Sequence, residues 1–170
     1  TTTVIISDPT ENDSGEHWYF RNTGGNFYIG QSTDGTGAWD SITARMSFLD
    51  GGNVGIGTTA PSTLTHINKS STTAFSASDA SWHDLLLTNA GAATNNTVGI
   101  AFQVSDDGYA ANAGTGIAAV KNGTNSDYGA DLVFITRPQS SAAVERMRIT
   151  DGGIIGIGTT APHSDYKFTI

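Results

Sequence analysis

The sequence predicts an all-β protein made of successive β-hairpin and β-sandwich-like units, and three observations predict it. Apolar residues recur at alternate positions in short runs, and no stretch sustains the 3.6-residue period of an amphipathic helix. Gly, Asn, Asp and Pro turn chemistry separates those runs at the spacing typical of all-β proteins. Residues 44–62, ARMSFLDGGNVGIGTTAPS, return as residues 145–163, ERMRITDGGIIGIGTTAPH. At an offset of 101, twelve of the eighteen positions from 44 to 61 are unchanged, which marks an internal repeat. The repeat divides the chain into a first unit, 1–67, and a longer second unit, 68–170.

Taken in order, residues 1–7 are β-branched from Thr1 to Ile6 and predict a strand ended by Asp8-Pro9. EHWYFRN and NFYIGQ flank Thr23-Gly24-Gly25-Asn26 and predict a hairpin whose core candidates are Trp18, Phe20, Phe27 and Ile29. Residues 32–41 form a loop, the first repeat copy follows, and the Ser/Thr-rich stretch 62–80 reads as an extended connection. In the second unit strands are expected at 84–89, 97–104, 115–121, 131–137, 144–150 and 154–159, with Pro138 ending one of them. FYIGQ of the first unit aligns with LVFITR of the second. The second unit then carries an added hairpin within 97–129.

Within each repeat copy a polar/apolar alternation runs into Asp-Gly-Gly and a second alternation follows, giving strand, turn, strand. A three-residue loop with Gly52 or Gly153 in the left-handed region puts Met46 and Phe48 on one face with Val54 and Ile56. It is preferred to a strict Gly-Gly loop, which sets Phe48 opposite Gly55. Gly55 and Gly57, like Gly156 and Gly158 around Ile157, predict the close approach of another backbone, which can belong to another chain. Pro61 and Pro162 end the ladder for want of an N–H.

GNVGIGTTAP, preceded by an Arg-Met-x-apolar strand and followed by Leu64 to Ile67, resembles the repeat of bacteriophage tail fibres and related appendage proteins. In many of these it lies just upstream of a C-terminal self-cleaving chaperone domain. The resemblance implies an elongated, intertwined, parallel homotrimeric fibre with a structural and adhesive role in host attachment, located on the virion and outside the cell. The partners it implies are the chain itself, other tail fibre segments, and a host surface polysaccharide or outer-membrane receptor. The chain begins Thr-Thr-Thr without Met and stops after a repeat, and reads as a piece of something longer.

Composition sets the bounds. A hydrophobic fraction of 37% with 21 glycines buries little per residue unless subunits share a core, so oligomerisation is the expected source of stability. The formal charge of −8 repels phosphate backbones and anionic membranes, so nucleic acid is not an expected partner. No segment approaches the ~18 apolar residues of a membrane-spanning helix, so no membrane insertion is expected. The absence of cysteine excludes disulfides and thiolate metal sites.

The remaining candidates for chemistry read as bland. Glu11, Glu16 and Glu145, or the loop aspartates Asp34, Asp40, Asp106 and Asp107, would need to face one another in pairs to cleave a glycan, and read as solvated residues. His17, His66, His83 and His163 share no metal-ligand spacing, and Asp8 to Glu16 lacks the spacing of a known calcium loop. GIGTTAP has no lysine and runs into proline, so it is not a phosphate loop. Neither enzyme activity, nor a metal, nor a cofactor is expected. Trp39, Asp107, Tyr109 and Tyr128, in loops that differ between the units, combine flat rings with hydrogen-bonding groups and are the candidate glycan-binding residues. Two other classes fit the same composition: a polysaccharide depolymerase segment, and a cellular surface adhesin or extracellular filament subunit.

Overall fold

The computed structural model describes residues 2–7, 17–32, 42–91, 93–104, 114–123 and 128–170. The chain divides into two compact units, Thr1–Asp84 and Leu85–Ile170. Among the described residues each unit carries one six-stranded mixed sheet rather than a sandwich of two, and no helix occurs.

In the first unit β1 (Thr2–Ser7), β2 (His17–Thr23), β3 (Asn26–Ser32), β4 (Ile42–Phe48) and β5 (Val54–Ile56) form an antiparallel meander, and β6 (Thr65–Ile67) lies parallel to β5 at the edge. In the second, β7 (Thr97–Phe102), β8 (Thr115–Lys121), β9 (Ala130–Thr136), β10 (Val144–Ile149), β11 (Ile155–Ile157) and β12 (Phe168–Thr169) repeat that order and those directions. The hairpin β7–β8 therefore occupies the place of β1–β2 and is not an addition. The expected strand at 84–89 does not form. Leu85, Leu86 and Leu87 are three apolar residues in a row without alternation, and all three are exposed. Conversely, β6 lies inside the stretch read as a plain connection.

The Asp-Gly-Gly turns are three-residue loops. Leu49 N–H donates to Asn53 O (2.9 Å) and Thr150 N–H to Ile154 O (2.9 Å), with Gly52 at φ 86° and Gly153 at φ 77°. Phe48 thus faces Val54 and Met46 faces Ile56, on one face as expected.

The arginine of each copy sits at a β-bulge. Met46 pairs with Ile29 and Ala44 with Gly30, leaving Arg45 as the extra residue; Met147 pairs with Phe134 and Glu145 with Ile135, leaving Arg146. The unpaired carbonyl is used. Gly57 N–H donates to Arg45 O (3.0 Å) and Gly158 N–H to Arg146 O (2.9 Å). The guanidinium groups reach equivalent residues of the preceding strand, Gln31 at 3.2 Å and Thr136 at 3.0 Å.

Gly57 and Gly158 both adopt φ 73°, and this left-handed turn, rather than Pro61 or Pro162, ends β5 and β11. The chain then doubles back over one face of its own sheet. A Cβ on Gly55 would meet Ser47 Oγ and Thr58 O at 2.5 Å, and one on Gly156 would meet Pro162 Cβ at 3.0 Å and Thr159 Cγ2 at 3.1 Å. The close neighbour that Gly55 and Gly156 predict is thus this return segment of the same chain; Gly57 is approached instead by Asn68, just after β6, and Gly158 has no such neighbour. Ser47 Oγ–H donates to Thr58 O (2.8 Å) and Asn53 Nδ2 to Pro61 O (3.2 Å), fixing the segment before β6 pairs with β5. Residues 57–64 complete the parallel connection in fewer than the dozen or so residues usually needed, because the strands they join are only three residues long.

Candidate functional site

Strand alternation gives each sheet an apolar face and a return face. On the apolar face of the first sheet lie Val4, Ile6, Trp18, Phe20, Phe27, Ile29, Met46, Phe48, Val54, Ile56 and Ile67. Val4 and Ile6 are 56% exposed and Trp18 is 43% exposed; no described element covers this face. The core candidates Trp18, Phe20, Phe27 and Ile29 therefore share an uncovered face. The buried residue of β2 is their neighbour Tyr19, on the return side. The second sheet matches, with Ile100, Phe102, Ile117, Leu132, Phe134, Met147, Ile149, Ile155, Ile157 and Phe168 on its apolar face. Among the described residues only Tyr19 and Val133 are buried large apolar side chains.

The return faces differ. In the second unit Arg148 donates to both oxygens of Glu145 (2.8 and 2.7 Å) and to Asp131 Oδ2. Asp131 also accepts from Asn122 Nδ2 and from Asp151 N–H, both at 2.9 Å. The three charged side chains are largely buried, and the hydrogen bond to Glu145 raises the Arg148 pKa further above its already high value, so its charge persists at any working pH. Glu145 is thus committed to an arginine rather than to a second carboxylate. In the first unit the same register positions hold Ala44, Ser47 and Asn26, and Asn26 Oδ1 keeps the matching bond from Asp50 N–H at 3.0 Å.

Without that ion cluster the first return face is hollow. Tyr19, Arg21 and Thr23 on β2, Tyr28 and Gly30 on β3, Ala44 on β4 and Thr59 of the return segment line a cavity of about 320 Å³. Gly30 and Ala44 are its smallest lining residues, and Arg21, the two tyrosines and the two threonines bring polar groups to its lining. The equivalent positions of the second unit are Gly116, Ala118, Val120, Val133, Ile135, Glu145 and Thr160, without a cation or a phenol. The cavity was not among the sequence-predicted sites. Its signal is the alternation Tyr19, Arg21, Thr23 between the apolar residues of β2.

Of the predicted glycan-binding residues, Trp39, Asp107 and Tyr109 lie outside the described residues, as do Glu11, Glu16, Asp34, Asp40, Asp106 and the side chain of His17. Tyr128, just before β9, is 99% exposed. Of the motif residues, Ile56 and Ile157 face the apolar side, Gly55 and Gly156 the return side, and Pro61 is buried in the return segment. His66 accepts from Ser62 N–H, and His163 stands 3.7 Å from Asp165. Among the described residues no three His, Asp or Glu side chains converge as a metal-ligand group. No protein-family model and no curated protein matches the chain.

Proposed function

We propose that this chain is a structural and adhesive segment of a homotrimeric tail fibre, carried outside the cell on a virion and contributing to attachment at the host surface through its glycans. The observation that carries the reading is the uncovered apolar face of each single-layer sheet. One sheet cannot bury such a face alone. Three sheets turned inward around a common axis can, and each half-exposed Val, Ile, Phe or Met so covered contributes about 1 kcal/mol, roughly half the value of burying it completely. The resemblance of the two motif copies to tail fibre repeats supplies the biological setting.

The test is sedimentation of the purified chain, with a trimer expected at micromolar concentration, followed by adsorption of the labelled trimer to bacterial cells. A stable folded monomer would overturn the assembly. A trimer that binds no cell or extracted surface polysaccharide would reduce the segment to a plain shaft.

A further inference from the structure

We infer that the return-face cavity of the first sheet is a binding site for a single carboxylate-bearing sugar ring; this rests on the host-attachment reading and names the chemistry that such attachment would use. The cavity's size is the first reason. At about 320 Å³ it falls within the range of small-ligand sites, at its lower end, which suits one pyranose better than an extended chain.

The lining is the second reason. Tyr28 offers a flat apolar ring with a hydroxyl, the combination that holds a sugar ring by stacking and hydrogen bonding together, while Tyr19, 1% exposed, belongs to the wall behind the contact surface. Arg21 supplies a planar fork of donors suited to a carboxylate, and with five N–H groups it can take a ligand while keeping bonds to the protein. Thr23 and Thr59 add hydroxyls that both donate and accept.

Charge is the third. The chain as a whole carries −8, yet the seven lining residues include one cation and no anion. Among the lining residues a bound carboxylate is therefore governed by Arg21, and charges more than about 8 Å away are largely screened at physiological ionic strength.

The experiment is an NMR titration of the full chain with methyl glucuronide and, in parallel, methyl glucoside, following the ring resonances of Tyr19 and Tyr28. The glucuronide is expected to shift both, and the neutral glucoside to bind at least about tenfold more weakly, the loss that removing a charged hydrogen bond brings. Arg21→Gln should weaken the glucuronide by a similar factor, and Ala44→Leu, which adds bulk to the lining, should abolish binding. Tyr166→Ala, at an exposed position of the other unit, should change nothing. Should Arg21→Gln fail to fold, Arg21→Lys keeps the charge without the fork and should still lose affinity. Equal binding of the two sugars, or wild-type binding by folded Arg21→Gln and Ala44→Leu, overturns the site. A wild-type chain that adsorbs to cells but shows no Tyr19 or Tyr28 shift with the glucuronide loses the cavity and keeps the attachment reading. A chain that does neither loses both.

Discussion

The two sheets of this protein share strand order, register, bulge, turn and return segment, yet one return face is clamped by charges and the other is hollow. Arg148, Glu145 and Asp131 stand where Ser47, Ala44 and Asn26 stand in the first unit. The apolar faces, by contrast, are alike in both. The difference teaches that one backbone plan is compatible with two quite different ways of filling its return side. What the plan requires is the Asp-Gly-Gly turn, the bulged arginine and the left-handed glycine, and these are among the residues that the two copies share.

The largest effect should come from the feature common to both sheets. Ile29→Asp in the first unit and Phe134→Asp in the second each place a charge at the centre of an apolar face, and each is expected to abolish self-association in sedimentation. If only one of them does so, assembly belongs to that unit alone. The next largest should separate the two return faces. Arg148→Met leaves two largely buried carboxylates without their cation and is expected to cost about 3–5 kcal/mol in chemical denaturation. Converting the whole set to that of the first unit, Arg148→Ser with Glu145→Ala and Asp131→Asn, should recover most of that loss.

A smaller contrast lies at the shared glycines. Gly158→Ala meets no atom within 4 Å and should cost only the left-handed strain, about 1–2 kcal/mol. Gly57→Ala carries the same strain and also drives its Cβ against Asn68 O, so an overpacking cost of about 1–3 kcal/mol adds to it. Equal melting of the two variants would show that the backbone at Asn68 yields freely. The smallest is Ser47→Ala, which removes a buried hydrogen bond to Thr58 O and should cost about 1 kcal/mol.

The hairpin of each motif copy, its three-residue turn and the residues sharing its apolar face were legible from alternation and turn chemistry. The parallel strands β6 and β12 were not, because strands of three and two residues are too short to show a period. The bulges at Arg45 and Arg146 were hidden too, since an extra residue in one strand shows only against its partner. Alternation says which side chains share a face but not which face the chain covers. Alternation therefore nominates Trp18 and Phe20 as core, although Tyr19 is the buried residue. The cavity depends on the same unknown, and on Gly30 and Ala44 being small where strands β3 and β4 pass beneath it.

The short parallel strand also has a mechanical consequence. A six-stranded meander that stayed antiparallel would begin and end at the same end of the sheet, and tension on its termini would peel hydrogen bonds open one after another. Because β6 runs with β5, and β12 with β11, the chain enters each sheet at one end of its strands and leaves at the other. A pull on a unit's two termini then has a component along the strands, across the hydrogen bonds rather than parallel to them. The hydrogen bonds that hold a terminal strand are then loaded together rather than one at a time, so each unit resists stretching in the direction in which its own chain runs through it.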